Sequence, residues 1–207
     1  MRNVYVVTHA QSLHHIEKRV GGWYDTSLTD LGREQAEKTG RFLKSAIGLT
    51  DVRLFSSDLK RAAETAEIIG EHLRKPVTLD SRLREMSYGE AEGEPQSWFD
   101  DRIEPRPADG NRLDHRVYTG AESRFELGER VSAALADILG KGARDAVIVS
   151  HGFASTFLIM AWMKVPADHM DYCNFSAKPG CVTMLNEDDL FGSRSLSYLC
   201  STAHLEN

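Results

Sequence analysis

Asn3 to Gly32 reads NVYVVTHAQSLHHIEKRVGGWYDTSLTDLG, and its apolar run from Val4 to Val7 stops abruptly at Thr8-His9. Four consecutive apolar residues, three of them β-branched, show no alternation. That pattern predicts a strand buried on both faces, as in a parallel sheet covered by helices. Thr8-His9 then falls at the carboxyl end of the strand, where open α/β sheets hold their ligands.

The rest of the chain continues the rhythm. Thr29 is placed to cap a helix over 30–47, with Leu31, Ala36, Phe42, Leu43 and Ile47 as its apolar positions. VRLFSS (52–57) predicts a second strand, and Ser57 a cap for a helix over 58–74. PVTL (76–79) predicts a third strand, 123–140 an amphipathic helix, and DAVIVS (145–150) a further strand. FASTFLIMAWM (153–163) is apolar nearly all round and predicts a buried helix, with CVTML and LSYLC as final strands. Strands alternating with helices imply an α/β three-layer sandwich whose mostly parallel central sheet is flanked by helices. The whole of 1–207 reads as one domain. The segment of about 86–122 breaks the rhythm, being rich in Pro, Gly and charge while keeping Trp98, Phe99 and Tyr118. It predicts an insertion covering the site, since linkers rarely keep aromatics.

Composition narrows the classes. With 207 residues the chain can bury a sizeable core without disulfides or a structural metal. Its 31 acidic residues against 25 Lys and Arg leave a net charge of -6, which argues against a nucleic-acid partner. The three cysteines fit neither a disulfide framework nor a zinc knuckle, which favours a reducing compartment. No apolar run reaches the ~18 residues of a membrane span and no signal-type segment opens the chain, so a cytoplasmic location without a membrane partner is expected. A homodimer is compatible with all of this.

Four polar elements follow predicted strands: Thr8-His9, Ser56-Ser57-Asp58, Arg82 to Glu85, and Ser150-His151-Gly152. If their strands are parallel neighbours, His9 and His151 converge on one cleft. Arg61, one turn into the helix after the second strand, points to the same place, beside a helix N-terminus that suits an anion. Two imidazoles and a guanidinium suggest a phosphate or carboxylate site, with Glu85 as an acid nearby. Taken singly, each has a plainer reading: a turn histidine, a surface ion pair, a solvated glutamate.

These motifs together resemble the histidine phosphatase superfamily, also called phosphoglycerate mutase-like. The family's Arg-His-Gly stands here as Thr8-His9-Ala10. Its later segments resemble GGWYDTSLTDLGREQA, SDLKRAAETA, LREMSYGEAEG, TGAESRFELGERV and VSHG, in the same order along nearly the whole chain. The resemblance implies His9 as a nucleophile that becomes phosphohistidine, Arg61 and His151 as phosphate ligands, and Glu85 as proton donor, with His151 in the catalytic set. Thr8 occupies the place of a phosphate-binding arginine, and His15 the place of an asparagine contact. His15, or failing that Arg19, is expected to fold back and replace the missing charge; the histidine would titrate near neutrality, whereas the arginine would not. Gly22, Trp23, Arg84 and Tyr88, with Arg19, are expected around the substrate. No metal and no cofactor are expected. The implied activity is hydrolysis of small phosphorylated metabolites; the alternatives are a degenerate member that binds a phosphorylated ligand or a protein with little turnover, and a mutase-type phosphoryl transfer.

Overall fold

The computed structural model describes residues 2–48, 51–106, 108, 112–142 and 144–206. The chain runs β1 (Arg2–Thr8), α1 (Leu13–Ile16), α2 (Asp30–Ile47), β2 (Val52–Ser56), α3 (Lys60–Leu73) and β3 (Val77–Leu79). It continues through α4 (Gln96–Arg102), α5 (Arg124–Gly140), β4 (Asp145–Ser150), α6 (Gly152–Trp162), β5 (Val182–Glu187) and β6 (Arg194–Ser201). The strands form one sheet in the order β3-β2-β4-β1-β5-β6. The first four are mutually parallel; β5 runs antiparallel to β1, and β6 to β5.

β1 shows why an unbroken apolar run ends up in the middle. Val4 and Val6 pack with Leu127, Val131, Phe157 and Leu158 of α5 and α6, while Tyr5 and Val7 pack with Leu43, Ala62, Ala66 and Ile69 of α2 and α3. Each fully buried aliphatic side chain contributes about 1.5–3 kcal/mol, so both faces of the sheet are held and three layers result. Among the described residues no helix is long and apolar enough to cross a membrane.

Of the two expected caps, one forms and one does not, and the structure adds a third. Thr29 Oγ1 accepts from the Gly32 N–H at 3.0 Å, and Ser123 forms a capping box with Glu126. Ser57, in contrast, does not cap α3. Leu59 holds that place, and the Asp25 carboxylate accepts from the Lys60 N–H at 2.7 Å. Ser57 serves His151 instead. At the start of α2, a Cβ on Gly32 would lie 1.9 Å from the Gln11 carbonyl oxygen. Only glycine therefore lets α2 close against the loop that follows His9.

Within 86–122, residues 107 and 109–111 lie outside the described residues. The remainder builds a satellite cluster in which Ala91, Tyr118 and Ala121 pack with Val20, Tyr88, Trp98 and Phe99. The Val20 N–H bonds the Glu94 carbonyl and the Gln96 N–H the Lys18 carbonyl. These bonds tie the segment to the loop after β1 and bring Tyr88 to the cavity described next.

Candidate active site

Parallel register places the two histidines. Thr8 pairs with Ser150 across β1 and β4, so His9 and His151 leave the sheet side by side, their ring centroids 5.0 Å apart. β2 ends beside them, and Ser57 Oγ lies 2.8 Å from His151 Nε2. Arg61, in the first turn of α3, is 1 % exposed and donates from Nε to His9 Nε2 at 3.2 Å.

That bond settles the state of His9. Its Nδ1 lies 2.8 Å from the Ala10 carbonyl, which can only accept, so Nδ1 carries the proton. Nε2 then bears the lone pair on which Arg61 donates. Burial, with the Arg61 charge next and His15 after it, holds the His9 pKa well below the usual histidine value. A neutral imidazole with an unprotonated Nε2, released by Arg61 as the guanidinium turns to the phosphate, is what nucleophilic attack on phosphorus requires. Burial likewise pulls Arg61 down to about 10, opposed by Glu85, Asp25 and Glu92, so it stays charged at neutral pH. Its other nitrogens donate to the carbonyls of Gly22 (2.7 Å) and Tyr24 (2.9 Å). Three of its five N–H groups are thus engaged, and two remain for an anion. Gly22 can turn its carbonyl to Arg61 because it adopts φ +54, open to glycine at little cost.

Glu85 arrives from the turn after β3. Its Oε1 accepts from the N–H groups of Met86 and Ala154 (both 2.9 Å), and its Oε2 from that of Phe153 (3.0 Å). The carboxyl therefore sits on the N-terminus of α6, one residue past His151. Arg130 clamps the preceding backbone, donating to the carbonyls of Arg82, Arg84 and Glu85 at 2.8 Å each and pairing with Glu122 at 2.5 Å.

The loop after His9 folds back over it. His15 stacks on His9 at 5.5 Å, and His14 lies 6.0 Å from it. The Ser12 N–H donates to His15 Nδ1 at 3.1 Å, so the neutral ring carries its proton on Nε2. Thr8, His9, His14, His15, Arg61 and Glu85 line a cavity of about 190 Å³, closed by Gly21, Gly22, Tyr88, Gly152, Ala177 and Pro179. Among the described residues, no three His, Cys, Asp or Glu side chains group to hold a metal ion.

A family model described as the histidine phosphatase superfamily, branch 1, matches residues 4–191. The chain belongs to the histidine phosphatase superfamily. A relative from Salmonella arizonae, named a probable phosphoglycerate mutase, is 37% identical over 171 residues, covering 81% of this chain and 77% of the relative. Among solved structures, mycobacterial glucosyl-3-phosphoglycerate phosphatase in complex with VO3 is 26% identical, with a TM-score of 0.79 over 97% of this chain and 100% of that one. A Bacillus stearothermophilus protein, YhfR, is also 26% identical, with a TM-score of 0.78 over 98% of each chain. The histidine phosphatase fold expected from the sequence is thus present, and the chain is of a phosphoryl-handling kind.

The histidine phosphatase positions read from the sequence fall unevenly. Thr8, His9, His15, Gly22, Arg61, Glu85 and Tyr88 line the cavity, with His151 buried behind His9. Arg19, Trp23 and Arg84 do not. Arg19 donates to the Gly93 carbonyl at 2.6 Å and pairs with Glu17. Trp23 donates its indole N–H to the Glu85 carbonyl at 2.8 Å. Arg84 lies 4.9 Å from the Trp23 ring and makes a bidentate pair with Asp58. These side chains brace the rim through partners that sequence spacing does not reveal. His14 enters the site read from the sequence only as a neighbour of His15 in the loop that folds back, and Arg130 and the Ala177–Pro179 wall have no place in it. The Lys178-Pro179-Gly180 turn just before β5 was a readable signal for the last of these.

The expected charges also need correction. Burial and then Arg61 hold His151 far below the usual histidine range; the same causes lower His15, and burial takes His14 to about 3. Near neutrality neither His15 nor His151 is an imidazolium. Linkage fixes the consequence for stability. His9, His14 and His151 are at most 8 % exposed and neutral when folded, whereas the unfolded chain protonates them below about pH 6.5. Stability should therefore fall as pH drops below about 6.5, by up to about 1.4 kcal/mol per pH unit for each of the three. Melting temperatures between pH 8 and 5 check this; a flat profile across that window contradicts it.

Proposed function

We propose that the protein hydrolyses small phosphomonoesters without a metal, through a phosphohistidine on His9 and with Glu85 as proton donor. The observation carrying the reading is the fixed tautomer of His9: Nδ1–H on the Ala10 carbonyl and the Nε2 pair turned to Arg61 at the cavity. His9 Nε2 attacks phosphorus, the bond to the ester oxygen breaks, and Glu85 gives that oxygen its proton. Water then attacks the phosphohistidine, giving a proton back to Glu85 and freeing Nε2. In phosphoryl transfer the protein's task is mainly to position the group and stabilise its charge. Arg61 supplies the permanent charge, and the cavity volume suits a compact phosphorylated metabolite.

Thr8 leaves one charged fork missing from the phosphate site. His15 offsets part of that loss by donating its neutral Nε2–H to phosphate, and gains a proton at Nδ1 when the anion binds, exchanging the Ser12 N–H for Ser12 Oγ, 3.3 Å away, as its partner. Its pKa in the complex then exceeds its lowered value in the free protein, so affinity for inorganic phosphate should weaken as pH rises between the two. His15→Ala should weaken affinity by about ten- to a hundredfold near pH 6, in line with a hydrogen bond to a charged group. It should also flatten the pH profile relative to the parent. Equal affinities and superimposable profiles would exclude this role.

The direct test is turnover of p-nitrophenyl phosphate and a panel of metabolite monoesters, with and without EDTA. Sustained release of inorganic phosphate in chelator supports the reading. Loss of activity that a defined divalent ion restores removes the metal-free mechanism. Transfer of the phosphoryl group to an added phosphoglycerate in preference to water supports the mutase-type alternative, toward which the name of the Salmonella relative points. Phosphate binding without turnover favours the ligand-binding alternative, for which Thr8 is the sequence feature.

A further inference from the structure

We propose that Cys181 and Cys200 form a reversible disulfide site, oxidised by peroxide, that controls the wall of the phosphate cavity. Three observations meet here. First, the sheet brings the two thiols together. Val182 pairs with Ser201 and Met184 with Tyr198, so Leu199 and Cys200 stand opposite the single residue Thr183. This is a β-bulge, and its second residue, Cys200, takes the left-handed conformation at φ 45, rare outside glycine. The Cys200 N–H is held by Thr183 Oγ1 at 2.9 Å, and both cysteines are tied to one residue: the Cys200 sulfur accepts the Lys178 N–H, and the Cys181 N–H donates to the Lys178 carbonyl at 3.1 Å. Cys181 and Thr183 point to one face of β5, so a residue opposite Thr183 is a diagonal neighbour of Cys181.

Second, the two sulfurs differ in access. Cys181 is buried at 2 % exposure, whereas Cys200 is half-buried and accepts the Lys178 N–H at 3.2 Å. Burial and the Cys200 contact push the Cys181 thiol up to about 12, so the oxidant reacts at Cys200. Third, Cys181 is joined to the nucleophile loop. Its carbonyl accepts from the Thr8 N–H at 3.1 Å, and its Sγ lies 3.6 Å from Thr8 Oγ1. The adjoining Gly180 N–H donates to the carbonyls of Thr8 (3.1 Å) and His9 (3.2 Å). Ala177 and Pro179, just before it, line the cavity.

The chemistry balances with peroxide as the oxidant. The Cys200 sulfur gives two electrons to the peroxide, whose O–O bond breaks; a sulfenic acid forms and one water leaves. The Cys181 sulfur then attacks that sulfur, its proton departs with the hydroxyl as a second water, and the S–S bond closes. A dithiol reductant reverses the step by exchange. Drawing Cys181 toward Cys200 shifts the segment that holds Thr8 and His9, and misplacement of about 1 Å can cost ~10² in rate.

The test uses the full chain with the exposed Cys173 replaced by serine, treated with dilute hydrogen peroxide. Peptide mass spectrometry should find the Cys181 and Cys200 peptides joined and two hydrogens lighter. Affinity for inorganic phosphate should fall at least about tenfold and return with dithiothreitol. Cys200→Ser in the same background should bind phosphate normally before peroxide and be insensitive to it. Because the link is read by mass and the coupling by phosphate binding, the outcome does not depend on turnover. Only sulfinic or sulfonic products, with no joined peptides, would overturn the site; a joined pair with unchanged phosphate affinity would overturn the control.

Discussion

His9→Ala should lower kcat/KM for phosphomonoesters by at least about 10⁴-fold, the scale on which removing a nucleophile acts when the rest of a site survives. The structure explains why no neighbour takes over. His14 Nδ1 is turned to Ser12 Oγ (2.9 Å) and Thr26 Oγ1 (3.3 Å), and His15 Nδ1 to the Ser12 N–H. His151 Nε2 is turned to Ser57 Oγ, and its Nδ1 is buried without a partner among the described residues. Among the described residues, only His9 combines a fixed Nδ1–H with an Nε2 pair facing the guanidinium that would hold the phosphate. Acid-labile, base-stable label should accumulate on the parent protein during turnover and be absent from the variant. The alanine also removes the acceptor for Arg61 Nε, freeing a third N–H for anions, so phosphate binding should persist. A His9→Ala protein that binds phosphate and still turns over at the parental rate would sink the phosphohistidine assignment.

The sequence carried the convergence of His9 and His151 because it depends on two facts legible there. Each histidine comes one polar residue after an apolar run, and such runs become adjacent parallel strands. Glu85 was readable for a similar reason, lying just past a third strand. What stayed hidden depends on tertiary partners. Nothing near Arg84 in sequence announces Asp58 as its partner, and nothing near Trp23 announces the Glu85 carbonyl. Both look like cavity residues until those bonds are seen. Arg130 lies mid-helix in an ordinary amphipathic pattern, so its grip on the backbone of Arg82 to Glu85 has no local signature. The orientation of β5 and β6 was equally out of reach, since periodicity gives burial and not direction. The charge states depart from expectation because a histidine's usual value presumes water, whereas three buried imidazoles, with the more exposed His15 beside them, crowd around Arg61.

Glu85→Gln should slow hydrolysis of alkyl phosphates by about 10²–10⁴-fold, the usual worth of a positioned general acid. On p-nitrophenyl phosphate, whose leaving group departs with little protonation, the loss should be only a few-fold. The contrast matters because the substitution does more than remove an acid. In the parent, Oε1 accepts two N–H groups and Oε2 one, so Oε2 keeps the lone pair that can carry the transferable proton. A glutamine has one carbonyl oxygen. If that oxygen keeps the Met86 and Ala154 bonds, its amide nitrogen meets the Phe153 N–H donor to donor. Leaving that buried donor unsatisfied costs about 1–3 kcal/mol, enough to lower the melting temperature and loosen the start of α6 beside His151. A structural loss of this kind should burden every substrate equally, whereas loss of the proton donor burdens only those whose leaving oxygen needs the proton. The ratio of the two rate losses therefore isolates the chemical role from the structural one. Equal losses on alkyl and aryl esters would leave Glu85 as an anchor for α6 and move the search for the acid elsewhere in the cavity.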